Sequence, residues 1–400
     1  IRHCPSTSMS APSTSSAASP SASGGTLRIL VCQTAAGGGV VEENVARWEQ
    51  ILEAYGAEDE VDVIHFPETA FSRYFFRDFD DAFPSMEVEG KGPIFQFLSP
   101  LAKRLQAYVV CGYMEMKEDD HSSAAPSPSA EHGLNSLYVL GRNGELLRES
   151  YHKRDLFQPD YTWCRPGAQD QPLTIEISSR GELEDRPQWR LTAGLINCQE
   201  ILGNMDDSNA GGGPAARRLR NERIRDGDSS TTGYDTIDLI LYSTCWPLFL
   251  ADLPEPPRDF AGVWEGAIKK DFLLRGLDAS QEDSPAVAEA RSALRKRPLV
   301  VSVACDVGSE KNVTLKESWG GRNRLEEKLF PAEFLSKRGC SGVKVYSLPP
   351  EGSRAPLRGA DDVRGTVPPS EAREAPSGLR LAARDWDDKQ LCMSCEVEEA

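Results

Sequence analysis

Three side chains able to do covalent chemistry stand at the ends of apolar runs. Glu68 closes Val61-Asp-Val-Ile-His-Phe-Pro-Glu68, Lys153 lies in Tyr151-His152-Lys153-Arg154, and Cys198 closes Ala193-Gly-Leu-Ile-Asn-Cys198. Strand ends are where an α/β scaffold presents its reactive groups. A carboxylate, an amine and a thiol can together run acyl transfer without a histidine. The carboxylate takes the thiol proton, the sulfur attacks a carbonyl, and the ammonium steadies the oxyanion. Such a glutamate needs burial to raise its pKa, whereas the lysine must stay charged, so the site would need a dry carboxylate and a paired amine close together. Taken singly, each residue has a plainer reading. A thiol ending an apolar strand is most often a small core hydrophobe, and a charged residue after a strand is most often a solvated loop residue.

The elements that would position these groups can be read from periodicity. Leu27 to Cys32 predicts a strand, and Val41, Val45, Trp48, Ile51, Leu52 and Tyr55 recur at helical spacing. Val61 to Phe66 predicts a second strand, Ile94 to Leu105 a helix, and Val109 to Tyr113 a third strand. Helices covering a sheet follow from that alternation. Leu137 to Leu140, the Asn143-Gly144 turn and Leu146 to Tyr151 then predict an antiparallel pair, which makes the sheet mixed. Further strands are expected at Arg190 to Asn197, Ile237 to Ser243, Leu299 to Ala304 and Val343 to Leu348. There is no repeat of fixed period.

Composition bounds the function. The 400 residues carry 45 Lys and Arg against 62 Asp and Glu, a net charge of −17, with 39% hydrophobic residues. That describes a soluble, acidic, globular chain. No stretch approaches the roughly 20 apolar residues of a bilayer span. The charge opposes nonspecific attraction to nucleic acid or an anionic membrane, so neither is an expected partner. The ten cysteines are too scattered for a small disulfide scaffold, and a reducing compartment, the cytoplasm, is expected. The lack of acids before Glu42 leaves a mitochondrial transit peptide open.

Several segments stand apart. Residues 1–25, rich in Ser, Ala and Pro, read as a disordered tail, and residues 353–400 as a polar tail that packs little. Asp119 to Glu131 and Asp206 to Asp228 read as loop insertions. The Arg217, Arg218, Arg220, Arg223 and Arg225 cluster in the latter is better explained as a solvated loop than as an anion site. Cys392-Met-Ser-Cys395 is a lone pair without a second pair at metal spacing, and the five histidines form no ligand pattern, so no metal is expected. Gly37 to Gly39 lack the remainder of a phosphate-binding motif, and no nucleotide cofactor is expected. Trp246, Trp163 and Tyr161 are candidate walls of a substrate pocket, with plain packing an equal alternative.

The strings FPETAFSRY, ESYHKRDLF and AGLINCQEI resemble, in order and in strand context, the three signature segments of the nitrilase (carbon-nitrogen hydrolase) superfamily. Supporting strings run from Leu27-Arg-Ile-Leu-Val-Cys-Gln33 to Gly339-Cys-Ser-Gly342. The resemblance implies a four-layer αββα sandwich over residues 26–352. It also implies Glu68 as general base, Lys153 as oxyanion stabiliser and Cys198 as nucleophile. The family's second glutamate, seven residues after the lysine, is here Asp160, an auxiliary carboxylate one methylene shorter. Arg73 stands where the family commonly has glycine. Within the superfamily the chain looks most similar to the fungal-type protein N-terminal asparagine and glutamine amidohydrolases. That resemblance implies deamidation of N-terminal Asn or Gln of proteins or peptides to Asp or Glu, feeding a degradation signal, with no cofactor. Dimers are common in the family. The rival readings are a hydrolase of a small free amide, carbamoyl amine or nitrile, and a catalytically inactive binding protein of the same fold.

Overall fold

The computed structural model describes residues 26–32, 40–74, 76–117, 132–168, 171–180, 190–201, 237–245, 299–306, 342–346, 381–385 and 392–398. The N-terminal tail, both loop insertions, Gly37 to Gly39 and Trp246 lie outside them.

Two mixed sheets stack face to face. The first takes β1 (Thr26–Cys32), β2 (Val63–His65), β3 (Met86–Glu87), β4 (Tyr108–Met116), β5 (Gly133–Leu140) and β6 (Tyr151–His152). The second takes β7 (Thr174–Ser178), β8 (Arg190–Asn197), β9 (Leu239–Cys245), β10 (Leu299–Asp306) and β11 (Gly342–Tyr346), in the order β11-β10-β9-β8-β7. Each sheet has a parallel heart, β1-β2-β4 in one and β8-β9-β10 in the other. The segment read as a polar tail packs more than its composition suggested. It supplies β12 (Leu381–Asp385) and β13 (Cys392–Glu398), which extend the first sheet beyond β1 with Thr26 opposite Glu398 and Cys32 opposite Cys392. Main-chain pairing depends on the backbone alone, so short runs of mixed composition set in a charged segment can extend a sheet.

Strand alternation divides the core. On β1, Ile29 and Val31 face the second sheet, in a cluster with Val63, Val110, Leu195 and Leu241, while Leu30 and Cys32 face the helices. The helices are α1 (Val41–Leu52) and α3 (Pro93–Leu105), with a short α2 (Phe79–Ala82) between them in sequence. Helix α1 buries Val41, Val45, Trp48 and Leu52, and α3 buries Ile94, Phe97, Leu98, Leu101 and Leu105. Each fully buried Leu or Ile contributes about 1.5–3 kcal/mol, so this two-faced first sheet is the backbone of the fold's stability. Helix α3 is capped from the sheet, since the backbone N–H groups of Ile94 and Phe95 donate to the Glu87 carboxylate at 2.8 and 3.1 Å. The layers described are thus helix, sheet and sheet. The helical layer expected on the outer face of the second sheet falls on residues outside the described ones.

One polar pin crosses the inter-sheet core. The buried imidazole of His65 on β2 meets Ser302 on β10 through Nδ1 at 2.8 Å and Ser243 on β9 through Nε2 at 3.1 Å. Ser243 Oγ donates to the Phe66 carbonyl at 3.0 Å, so it accepts from His65, whose Nε2 carries the proton. Nδ1 then accepts from Ser302, and the ring is neutral. Burial holds its pKa down at about 3.

Candidate active site

Glu68 follows β2, Lys153 follows β6 and Cys198 follows β8, so each sits just past the end of a strand. The stacking of the two sheets brings them together. Lys153 Nζ donates to Glu68 Oε1 at 2.6 Å and to Asp160 Oδ2 at 2.7 Å, all three side chains being fully buried. These bonds use two of the ammonium's three protons. Glu68 is held further by Asn135 Nδ2, which donates to Oε1 at 2.9 Å, and by the backbone N–H of Cys245, which donates to Oε2 at 3.0 Å. The Cys198 thiol donates to the Cys245 carbonyl at 3.4 Å, and the N–H of that same Cys245 holds Glu68, so the sulfur and the carboxylate share one backbone residue. Unlike Cys32, Cys111, Cys164, Cys245 and Cys305, which are buried, Cys198 is partly exposed.

The local backbone explains the aim of these groups. Gly112 on β4 donates its N–H to the Pro67 carbonyl at 2.8 Å and accepts from Ala70 at 3.0 Å, clasping the turn that carries Glu68. A Cβ at Gly112 would stand 2.4 Å from Glu68 Cα, so only glycine allows that approach. Thr69 and Cys198 both adopt left-handed backbone, with φ of 43° and 48°. Such strain costs about 1–3 kcal/mol per residue and persists where surrounding bonds over-determine it. Asp160 lies in a 3₁₀ turn, Gln158–Thr162. Its Oδ2 also accepts from the Phe157 N–H at 2.9 Å, while Oδ1 is buried with no hydrogen-bond partner. The turn brings the shorter side chain within bonding distance of the ammonium, so the missing methylene is made up by the backbone. Arg73 does not disturb the turn. It is not among the left-handed residues, and its guanidinium pairs with Asp81 and lies 4.7 Å over the Phe76 ring.

Electrostatics assign the resting protonation. Burial pushes the Glu68 carboxyl above its usual pKa, with the Lys153 charge pulling it back and the Asp160 charge adding to the rise. Burial works against the Lys153 ammonium, yet Asp160 and Glu68 outweigh it and hold its pKa well above that of a free lysine. Burial, together with the Glu68 charge, pushes the Cys198 thiol up. The resting set is therefore a carboxylate of raised basicity, a locked ammonium and a neutral thiol, the arrangement in which a proton moves only as the sulfur attacks. Tyr74 closes one side, its ring 5.9 Å from Lys153 Nζ, a cation–π distance. Among the described residues no group of His, Cys, Asp and Glu could hold a metal ion, and no helix is long and apolar enough to cross a membrane.

Of the other residues singled out in the sequence, Trp163 is fully buried in a cluster with Phe76, Met114 and Leu156, its ring 6.2 Å from that of Phe76. Tyr161 is 59% exposed. Sequence reading did not single out Asn135 or Glu200 as site residues. Asn135 holds Glu68 with its side chain and, through its carbonyl, the Lys153 N–H at 2.8 Å; Asn197 Nδ2 donates to Asn135 Oδ1 at 3.1 Å. The available signal was asparagine inside or ending an apolar strand, where its β propensity is poor.

The carbon-nitrogen hydrolase family matches residues 29–203, a span that holds Glu68, Lys153, Asp160 and Cys198. Over 184 residues the chain is 27% identical to a protein N-terminal amidase of Saccharomyces cerevisiae, covering 44% of this chain and 38% of that protein. The chain thus spans 38% of the length of the curated relative it matches. A crystal structure of N-terminal amidase superposes with a TM-score of 0.52 at 15% identity, over 81% of this chain and 91% of that one. A crystal structure of N-terminal amidase with an Asn-Glu peptide gives 0.51 at 16% identity, over the same shares. At these identities the likeness is one of fold, and the fold is nitrilase-like α/β.

Proposed function

We propose, from the premise that residues 29–203 form a carbon-nitrogen hydrolase domain, that this protein is an amidohydrolase acting through Cys198 on the side-chain amide of an N-terminal Asn or Gln. The observation that carries the reading is the buried ammonium of Lys153, gripped at 2.6 and 2.7 Å by Glu68 and Asp160, with Cys245 joining Glu68 through its N–H and the Cys198 thiol through its carbonyl. As Cys198 Sγ adds to the amide carbon, Glu68 takes the thiol proton, and the carbonyl electrons collect on an oxygen that meets the third proton of Lys153. Collapse of the adduct breaks the carbon–nitrogen bond, and the proton on Glu68 passes to the leaving ammonia. Glu68 then takes a proton from water as it adds to the thioester, and the sulfur leaves with that proton, releasing Asp or Glu.

Charge supports the finer part. Two carboxylates against one ammonium leave the buried set with one surplus negative charge. A substrate bearing a free α-ammonium near the scissile amide offsets it, whereas an anionic substrate adds to it. The test is ammonia release from peptides with Asn or Gln first, set against their N-acetylated twins and against free amides. Fast release from the free peptides alone is expected. Equal rates on the acetylated twins would move the substrate to a small amide or nitrile, and no release from any amide would leave a binding protein of this fold.

A further inference from the structure

The buried carboxylate nearest the nucleophile in sequence is Glu200, and its hydrogen bonds join both halves of the site. Oε1 accepts from the Tyr151 hydroxyl at 2.5 Å and from the Arg154 backbone N–H at 2.9 Å. Oε2 accepts from the Asn197 backbone N–H at 3.0 Å. Arg154 directly follows Lys153, and Asn197 directly precedes Cys198. Lys153 leaves the first sheet and Cys198 leaves the second, so one side chain, 1% exposed, ties together the two sheet ends that carry the ammonium and the sulfur.

We infer that Glu200 is a positioning residue, which sets the separation of the Lys153 ammonium from the Cys198 sulfur by holding the backbone beside each of them. Its need follows from local geometry. The left-handed backbone at Cys198 takes the chain out of β8, so the strand ladder stops holding it at the nucleophile, and the 3₁₀ turn Cys198–Ile201 folds Glu200 back onto the Asn197 N–H. The same carboxylate then reaches across to the Lys153 segment. Both oxygens act as acceptors, because the Tyr151 hydroxyl and the Arg154 and Asn197 N–H groups all donate to them. An error of about 1 Å in such a pairing costs roughly 10²-fold in rate.

The role in catalysis rests on the amidohydrolase reading, so the test reads the sulfur as well as the product. The 400-residue chain is compared with Glu200→Gln, which turns an NH₂ toward one of the donors, and with Glu200→Asp, which shortens the reach between the two segments. The readouts are kcat and KM for ammonia release from an Asn-first peptide, the rate of Cys198 alkylation by 2-chloroacetamide followed by peptide mass, and urea unfolding. Both variants are expected to lose about 10–100-fold in kcat with KM within about twofold, and to slow alkylation at Cys198 by a similar factor in the folded protein. Wild-type kcat and alkylation in either folded variant would overturn the inference. If one variant does not fold, the other carries the test, and if neither folds, Glu200 belongs to the fold and the inference falls. A wild-type protein that releases no ammonia while its Cys198 alkylation still depends on Glu200 would remove the substrate reading and leave the positioning role standing.

Discussion

Acid should weaken this fold through His65, and the size of the effect can be worked from the ring's surroundings. His65 is neutral, wholly buried between the sheets and bonded to Ser243 and Ser302, with its pKa held down at about 3 against 6.5 for a free imidazole. The folded-state value is the lower one, so the unfolded chain gains a proton that the native chain refuses as the pH falls below 6.5. Stability is intact above about pH 7 and drains away between there and pH 3. Linkage gives a loss of about 2 kcal/mol at pH 5 and about 4 kcal/mol by pH 3. The perturbation is His65→Gln, which keeps polar atoms facing the serines but has no titration. Urea unfolding of both proteins at pH 7.5 and 5.0 isolates the term. Glutamine carries a fixed cost, and the wild type loses about 2 kcal/mol more than the variant between the two pH values. Parallel losses, equal within about 0.5 kcal/mol, would refute the assignment of a neutral, proton-refusing ring.

Four other outcomes follow from the site. Cys198→Ala should abolish ammonia release while leaving the urea midpoint nearly unchanged, since it deletes only a sulfur; near-wild-type release would end the covalent route. Lys153→Met should cost about 3–5 kcal/mol at pH 7, because it leaves Glu68 and Asp160 buried and uncompensated. With the ammonium gone the Glu68 carboxyl, already raised by burial, loses the charge that pulls it back, so that deficit shrinks toward acid pH as Glu68 is protonated; a pH-independent deficit in urea unfolding would count against the ion triad. Gly112→Ala should displace the Glu68 turn and cost about 10²-fold in kcat/KM, whereas an unchanged rate would show that the 2.4 Å approach relaxes freely. The acid limb of kcat/KM should lie above 4.5, the ordinary glutamate value, because burial raises Glu68 and the base must be ionised; a limb at or below 4.5 would assign the base elsewhere.

The strands with fully buried runs, β4, β8 and β9 among them, were legible because apolar continuity is the signal of a strand covered on both faces. The candidates Glu68, Lys153 and Cys198 stand out for the complementary reason, as polar residues ending such runs, and the fold brings them to one place. Where burial is partial the signal fades. Strand β7, Thr-Ile-Glu-Ile-Ser, alternates buried isoleucines with exposed or half-exposed polar residues, and its short run carries too little apolar signal to read. The strand read from Leu146 to Tyr151 shrinks to Tyr151–His152, because the Ser150 N–H goes to the Glu89 carboxylate at 2.6 Å instead of to a neighbouring strand. Strands β12 and β13 escaped because they are short runs of mixed composition, Leu381–Asp385 and Cys392–Glu398, set in a charged, Pro-containing segment that masks them. Asn135 and Glu200 escaped because their meaning lies in partners distant in sequence, Glu68 for the first and Arg154 for the second.

The pairing of β1 with β13 has a consequence for how the protein is born. Strand β1 leaves the ribosome long before its outer neighbour, since residues 26–32 pair with 392–398. At about 5–20 residues per second, some 10–40 s separate the synthesis of Cys198 from that of Glu398. Throughout that interval the nascent chain already holds every reactive group yet offers an open β edge to other chains, the moment at which a chaperone would matter most.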